Sequence, residues 1–462
     1  MFGREAAEAK SQRFPLTAFE HFFVAEDKVD YPGVFFLRMT FTGTFDEERL
    51  RLAFYRTAAR HPLMNAHLEG DPSQRTMDLA WRVADDDHRP YIYFGPLDAP
   101  IQYPRDTGKF IDLKKETGVR LFVTQGNGKA VLLLQLHHSC ADGIGSVLFM
   151  EDVLGFYHMP RGTSEREFGR YVREIDPSIL PRRGTYHLTP EDLAKRRKKD
   201  LRNWAGFFTF VPKSIAINRA SHRQIDRDNA PYPATSVAEF SESEVKDVIQ
   251  TAKGLGGSVN DLALRDLFLT VDQWNREHNS KSQAIRVGIP VNLRKEADKA
   301  MPVTNVVSMY FMDRPASQLV DENALFKSIH DETAYLKEHN MALAFVRFFS
   351  LAGRAKRLVS LVTDTPVPKC GNTTSLSNLG LVLKDTKLPK QGDKVAFDGV
   401  VLERVELLPP VRRHTYGTFG VATYNNKMAV TFHFDARNLS QSDADRLMEL
   451  YKARILESTR KH

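Results

Sequence analysis

The sequence contains very little cysteine and no long apolar run. Two cysteines, Cys140 and Cys370, occur in 462 residues, which excludes a scaffold of several disulfides and fits a reducing compartment. No run of about 18 apolar residues is present, so no transmembrane helix is predicted. The first residues, 1–14, lack the apolar core of a secretory signal. These absences predict a cytoplasmic protein.

Several sequence patterns with known functions are also missing. The chain has no short-period repeat and no low-complexity segment. Its one glycine-rich run, Gly254-Leu255-Gly256-Gly257, lacks the Lys-Ser/Thr pair that would complete a phosphate-binding loop. Hydrophobic residues make up 42% and charged residues 27% of the sequence, values typical of a soluble globular protein. The length predicts two or three domains, or two large halves of one fold.

The net charge of +7 is concentrated in one segment. Between Pro181 and Arg227 there are 12 Lys/Arg and 4 Asp/Glu, whereas the rest of the chain has 53 and 54. A nucleic-acid-binding protein more often spreads its basic residues over the face of a domain. The distribution therefore predicts no nucleic-acid partner.

The order of predicted elements indicates an α+β fold with mixed sheets. Hairpin signals such as Gly126-Asn127-Gly128 occur among helical patterns, an arrangement unlike a doubly wound parallel fold. Thr44-Phe45-Asp46-Glu47 and Ser241-Glu242-Ser243-Glu244 each match a capping box, which predicts Thr44 and Ser241 as helix N-caps.

A proline-rich, irregular region separates two halves of the chain. We predict an N-terminal half at residues 1–175, a basic crossover linker at 176–235 and a C-terminal half at 236–462. The linker contains six prolines between residues 177 and 233, which fits a connection without regular structure.

One stretch, Val131–Tyr157 (VLLLQLHHSCADGIGSVLFMEDVLGFY), combines an apolar strand with chemically reactive side chains. The run Val131–Leu136 has the length of one buried strand, and helical spacing of apolar residues begins after Gly143. Because neighbouring strand residues point to opposite faces, only one of His137 and His138 can face a given cavity. An imidazole, with an ordinary pKa of about 6.5, can accept a proton near neutral pH.

Simpler interpretations of the same residues remain open at this point. A histidine at the end of a strand is more often structural than catalytic, Asp142 is a preferred N-cap type, and Cys140 can be an ordinary buried thiol. Cys140 as a nucleophile lacks any thiol-enzyme pattern around it. A zinc site built from His137, His138 and Asp142 does not match the usual ligand spacings, so no metal is predicted.

The combination H-H-x-x-x-D-G, formed by His137, His138, Asp142 and Gly143, resembles the signature of an acyltransferase superfamily. The superfamily includes chloramphenicol acetyltransferase-like enzymes, peptide-synthetase condensation domains, plant acyl-CoA-dependent acyltransferases, alcohol acetyltransferases and wax ester synthases. Three further stretches fit the resemblance: Arg60-His61-Pro62-Leu63, Pro290-Val291-Asn292-Leu293-Arg294 and Ser377-Asn378-Leu379-Gly380. The D-F-G-W-G type motif of the plant and peptide-synthetase branches is absent.

The resemblance implies a fold of two α/β halves with mixed sheets and an active-site tunnel between them. It implies that His138 is the general base and that His137, Asp142, Gly143 and Arg294 support the site, with Asp142 and Arg294 paired across the halves. The same comparison makes four residues candidates for substrate binding or oxyanion stabilisation: Asn292, Ser375, Ser377 and Asn378.

The function implied is transfer of an acyl group from a thioester to a hydroxyl or amine of a small-molecule acceptor. The thioester is acyl-CoA or the phosphopantetheine of an acyl-carrier protein, used as a co-substrate, and no permanently bound cofactor is expected. Two alternatives remain: a wax ester or diacylglycerol synthase-like enzyme, and a non-catalytic binding protein of the same fold.

A basic and aromatic segment, residues 195–210, suggests a second kind of contact. Lys195–Arg202 carries six positive charges and one negative charge in eight residues, and four aromatic residues follow by Phe210. Basic residues beside aromatic ones favour peripheral contact with an anionic lipid surface. An acidic carrier protein, the phosphates of CoA and a solvated helix face are the other interpretations.

Overall fold

The computed structural model describes residues 12–71, 78–84, 89–189, 210–278, 284–352 and 371–460. The helices are α1 (Ala18–Glu26), α2 (Glu47–Arg60), α3 (Gly143–His158), α4 (Arg219–His222), α5 (Glu242–Gly254), α6 (Val259–Glu277), α7 (Glu322–Glu338), α8 (Leu343–Ala352) and α9 (Gln441–Arg460). Within the residues described here, none of these helices has the length and apolar character needed to cross a bilayer.

Strands occur throughout both halves of the chain. They are β1 (Arg13–Pro15), β2 (Val34–Thr42), β3 (Ala66–Glu69), β4 (Ala80–Val83), β5 (Tyr91–Pro96), β6 (Val119–Gly126), β7 (Lys129–His137), β8 (Ala234–Phe240), β9 (Ala284–Asn292), β10 (Val307–Pro315), β11 (Thr374–Leu381), β12 (Lys390–Gln391), β13 (Lys394–Phe397), β14 (Val400–Leu408), β15 (Gly417–Tyr424) and β16 (Lys427–Phe434). A small sheet has the order β1-β4-β3.

The first large sheet has the strand order β12-β13-β14-β2-β7-β6-β5. Its neighbours run antiparallel except β5 and β6, which are parallel. β7 lies between β2 and β6, and its residues from Leu132 to His137 are buried. A strand covered on both faces needs a nearly continuous apolar sequence, as Val131–Leu136 provides. This interior strand ends at His137, which lies opposite Val34 at the start of β2, and His138 follows directly.

The second large sheet has the order β10-β9-β11-β15-β16-β8. Here β11 is parallel to both β9 and β15, and the remaining pairs are antiparallel. Both large sheets are therefore mixed, and helices pack against them. The predicted α+β class with two mixed-sheet halves is confirmed.

The boundary between the halves differs from the prediction that residues 236–462 form one unit. The strands β12, β13 and β14 belong to this C-terminal segment, yet they extend the first sheet. β14 pairs with β2 from Val401 opposite Thr42 to Leu408 opposite Phe36, and it also lies against β15 and β16 of the second sheet. The chain thus returns to the first half before completing the second, because the open edge of β2 needs a partner.

Helix starts were predicted correctly at one capping box and incorrectly at the other. Ser241 caps α5 as predicted, with its side chain accepting a hydrogen bond from Glu244 N–H. The N-cap of α2 is Asp46 instead of Thr44, and its carboxylate accepts from Arg49 N–H at 2.7 Å. Gln125 Nε2 donates to the Phe45 carbonyl at 3.0 Å, so this carbonyl is engaged by a side chain of β6 and not by the helix.

Candidate active site

His138 follows the last residue of β7 and is wedged between aromatic rings. Its backbone N–H donates to the Gly33 carbonyl at 2.8 Å. The imidazole stacks on Phe23, with ring centroids 4.1 Å apart and planes 8° apart, and it packs against Phe35 at 5.0 Å. The imidazole, packed against these rings, forms part of the wall of a cleft between the two sheets.

The cleft is mainly apolar and takes residues from both halves. Its free volume is about 460 Å³, including the open mouth. The apolar wall consists of Phe35, Pro290, Met309, Leu407, Pro409 and Pro410. Hydroxyl groups enter it from Ser375 and Ser377, and a single cationic side chain enters from Arg412. An apolar wall with a few polar groups is the usual composition of a small-molecule site.

The surroundings of His138 keep its imidazole neutral. Burial is the largest effect and lowers the pKa of His138 to about 4, although its own main-chain carbonyl and Asp142 act in the opposite direction. The positive charge of Arg412 lowers this pKa further. At neutral pH the ring therefore has a free lone pair with which it can accept a proton.

His137 lies on the opposite face of the strand, as predicted from strand alternation. Its side chain is fully buried. Ser139 N–H donates to its Nδ1 at 3.2 Å, Ser139 Oγ lies 2.6 Å from the same atom, and Nε2 lies 3.1 Å from Asp27 Oδ2. Asp27 also accepts from Gly33 N–H at 2.6 Å. Nδ1 of His137 is thus hydrogen-bonded, Nε2 lies beside a carboxylate, and the residue connects the end of β7 to the loop before β2.

Asp142 fulfils both roles considered from the sequence. One oxygen caps α3 by accepting from Gly145 N–H at 2.8 Å. The other accepts from Arg294 Nη1 and from Val306 N–H, each at 2.7 Å. The side chains of Asp142 and Arg294 are 3% and 13% exposed, so this is a nearly buried ion pair. The predicted pairing across the halves is confirmed.

The sequence matches no protein-family model, but it is similar to a few known proteins. An uncharacterized protein of Mycobacterium tuberculosis is 23% identical over 96% of this chain and 100% of its own length. A putative diacylglycerol O-acyltransferase of the same organism is 26% identical over 190 residues, which is 38% of each chain.

Solved structures resemble the whole chain. The first condensation domain of the CDA synthetase superposes with a TM-score of 0.67 at 15% identity, covering 97% of each chain. A trichothecene 15-O-acetyltransferase of Fusarium sporotrichioides gives 0.68 at 11% identity, covering 96% of this chain and 95% of the other. The chain has the condensation-domain fold. A starter condensation domain of rhizomide synthetase, solved with C8-CoA, gives 0.62 at 11% identity over 99% and 97% of the two chains.

Within this condensation-domain fold, the structure brings together some of the predicted site residues and not others. His138, Gly143, Ser375 and Ser377 line the cleft. Space at Gly143 is restricted, since a Cβ there would lie 2.8 Å from Leu379 Cδ2.

Two predicted substrate contacts lie elsewhere. Asn292 is exposed and outside the cleft lining, and its Oδ1 accepts from Arg294 N–H at 3.1 Å. Asn378 is also exposed, and its Oδ1 accepts from Gly380 N–H at 2.8 Å in the turn after β11. Strand alternation explains this correction for Asn378, since its neighbour Ser377 occupies the face toward the cleft.

Two residues of the site were missed by sequence reasoning. Arg412 lines the cleft and pairs with Glu26 at 3.0 Å, and Asn305 contacts His138. Arg412 lies in an irregular segment and Asn305 in a loop before β10, where neither helical nor strand periodicity applies. A buried asparagine is unusual enough to question, but its burial is not visible in the sequence.

Cys140 is fully buried, and burial raises the pKa of its thiol above the ordinary range. It therefore stays protonated and is a poor nucleophile. Among the residues that the structure describes, no cluster of three or more His, Cys, Asp and Glu side chains could hold a metal ion. The basic segment 195–210, with its predicted membrane contact, lies outside the described residues except for Phe210.

The low pKa of His138 predicts an unusual pH profile. A general base works in its neutral form, so kcat/KM should stay nearly constant from pH 8 to about pH 5 and decrease only as the pH approaches 4. Initial rates of thiol release between pH 4 and 8, with folding checked by circular dichroism at each pH, measure this. An acid limb near pH 6.5 would show that His138 has the pKa of an exposed imidazole or is not the base.

Proposed function

We propose that this protein is an acyltransferase that moves an acyl group from an acyl thioester to a hydroxyl or amine of a small molecule. The observation that carries the proposal is the neutral imidazole of His138 on the wall of an apolar cleft between the two sheets. The fold shared with condensation domains and an O-acetyltransferase, and the distant relative described as a putative diacylglycerol O-acyltransferase, support acyl transfer as the reaction class.

The reaction requires one proton to move twice. His138 Nε2 takes the proton of the acceptor hydroxyl or amine as the acceptor atom attacks the thioester carbonyl carbon. The tetrahedral intermediate then expels the thiolate as the carbon–sulfur bond breaks, and the imidazolium returns the proton to the departing sulfur. His138 Nε2 is available for these transfers, because none of the described residues forms a hydrogen bond with it.

The negative charge that develops on the carbonyl oxygen needs a hydrogen-bond donor in the same cleft. Ser375 fits this role because its Oγ already accepts from Asn372 Nδ2 at 2.8 Å, so its own O–H is free to donate. Ser377 and Arg412 are further donors on the cleft wall. We assign Ser375 as the leading candidate.

The acyl donor in this proposal is acyl-CoA or an acyl chain on the phosphopantetheine of a carrier protein. Both donors present the same thioester on the same flexible arm, so the chemistry at His138 is identical. The solved neighbour with bound C8-CoA supports a CoA thioester as the first donor to test. No cofactor beyond the thioester is needed for the proton transfers described above.

A second candidate function is a wax ester or diacylglycerol synthase-like activity with long-chain substrates. The apolar cleft wall and the similarity to a putative diacylglycerol O-acyltransferase favour it. It differs from the first candidate only in the length of the acyl chain and the hydrophobicity of the acceptor. One assay can therefore address both.

Thiol release from acetyl-CoA, octanoyl-CoA and palmitoyl-CoA, with a panel of short alcohols, long-chain alcohols, diacylglycerol precursors and amines, tests the proposal. We expect release that depends on the acceptor, together with an acylated product by mass spectrometry. A preference for palmitoyl-CoA with a long-chain alcohol supports the second candidate.

Hydrolysis must be distinguished from transfer in this assay. Release without an acceptor, and without an acylated product, measures attack by water. If no thioester, including acyl-phosphopantetheinyl carrier proteins, gives a transferred product while ligands still bind, the protein is the non-catalytic binding protein considered as an alternative.

A further inference from the structure

Asn305 belongs to the second half of the chain but contacts the main chain of His138. Its Nδ2 donates to the His138 carbonyl at 2.6 Å, and its Oδ1 accepts from Val307 N–H at 3.2 Å. These two bonds determine which end of the amide faces the histidine. Asn305 is 2% exposed and does not line the cleft, so it has no access to the substrate.

The same amide nitrogen lies 3.3 Å from His138 Nδ1. The Asn305 amide therefore lies beside both the carbonyl oxygen and the ring of His138. This double contact restricts how the imidazole can rotate.

The residues beside Asn305 attach its segment to the site. Val306 N–H donates to Asp142 Oδ2 at 2.7 Å, and the Thr304 carbonyl accepts from Arg294 Nη2 at 2.8 Å. The ion pair between Asp142 and Arg294 therefore holds both neighbours of Asn305. Thr304 and Val306 are almost fully buried, so the main chain on either side has little freedom to shift.

A second anchor comes from the end of α2. Val303 N–H donates to His61 Nδ1 at 3.2 Å, so His61 Nε2 carries the proton and faces Asp152 Oδ2 at 3.0 Å. Both side chains are fully buried, and burial lowers the pKa of His61 to about 4. His61 therefore stays neutral and continues to accept from Val303 at neutral pH.

We propose that Asn305 is a positioning residue that fixes the ring orientation of His138 on the wall of the cleft. The inference rests on the proposed role of His138 as the general base. Because His138 and Asn305 come from different halves, the base is correctly oriented only when the two halves are packed together. The charged or titratable groups that also act on His138 are Asp142, Arg412 and His137.

Two substitutions at Asn305 change the environment of Nδ1 in a defined way. Asn305→Ala removes an N–H group whose positive end faces the ring, so the pKa of His138 should rise. Asn305→Asp places a negative charge there, which favours the imidazolium and should raise the pKa by about 1–3. In both variants the ring is less restricted, and kcat/KM should decrease about 10- to 100-fold, the size of effect expected for a misplaced catalytic group.

The pKa and tautomer of His138 are measured by NMR on protein labelled at histidine ring positions, with the resonance assigned from its absence in His138→Gln. The matched control is Asn275→Ala, which removes another buried asparagine, one whose Oδ1 accepts from Ala216 N–H at 2.8 Å. We expect this control to lower the Tm but to leave the pKa of His138 and the acid limb of kcat/KM unchanged.

The outcomes separate this inference from the proposed function. If both Asn305 variants keep the wild-type pKa and tautomer of His138, Asn305 does not position the ring and the inference is wrong. If the resonance shifts as expected but the wild-type protein transfers no acyl group in any assay, the contact is confirmed and the acyltransferase proposal fails. A lower Tm without a change in pKa would show a structural role alone.

Discussion

Replacing His138 with alanine is expected to decrease acyl transfer by about 10²–10⁴-fold, the usual contribution of a general base. The cleft wall and the Asp142–Arg294 pair remain, so thioester binding should change little and the loss should occur in kcat. Steady-state thiol release, with product identified by mass spectrometry, measures the effect. Partial recovery of the rate by added imidazole would identify the missing group as a base.

The neighbouring histidine provides the matched control for this substitution. His137 lies on the other face of β7, with its ring nitrogens beside Ser139 and Asp27. His137→Ala should lower the Tm, while turnover per folded molecule stays within about tenfold of wild type, because its ring does not line the cleft. Near-normal turnover in His138→Ala would falsify the general-base role.

Removing Asp142 is expected to have the largest effect on stability. Asp142→Ala leaves the guanidinium of Arg294 without its partner at a site where both side chains are nearly buried. Breaking a buried ion pair by removing one partner typically costs about 3–5 kcal/mol, and Asp142→Ala also removes the N-cap of α3. Urea unfolding measured by circular dichroism gives the change in the free energy of unfolding.

A double-mutant cycle separates the pair from its surroundings. The double variant Asp142→Ala/Arg294→Ala should lose less free energy of unfolding than the two single variants added together. In the double variant, no buried charge is left without its partner. The control pair is Lys327 and Asp331, whose side chains are 77% and 60% exposed at 3.0 Å. Removing this pair should change stability by less than about 1 kcal/mol. Equal effects at the two pairs would contradict the buried-pair interpretation.

The segment that carries the two histidines could be predicted in detail because its signals are local. The apolar run before His137, the alternation of two histidines on a strand and the start of a helix after Asp142 depend on residues close in sequence. The structure confirms a strand ending at His137 and a helix beginning at Gly143. The match between Asp142 and Arg294 came from resemblance to a known superfamily, since nothing in local sequence connects residues that are so far apart.

The sequence did not decide the features that depend on distant residues. Asp46 and Thr44 are both acceptable N-cap types, and the contact of Phe45 with Gln125 determines where the helix starts. Asn378 belongs to the same motif as Ser377, but its orientation depends on which face of β11 meets the cleft. Asn305 has no local pattern at all, and its importance depends on a carbonyl oxygen in the other half of the chain.

The sequence by itself determined the α+β class with mixed sheets and the strand–helix segment that carries His138, because hydrophobic periodicity and helix caps act over a few residues. Only the tertiary structure decided that β14 completes the first sheet, which residues line the cleft and which side chains act on the imidazole. Strand order and burial depend on contacts between residues separated by hundreds of positions. The low pKa of His138 arises from the same cause, since its desolvation requires Phe23, Phe35 and the second half to pack around the ring.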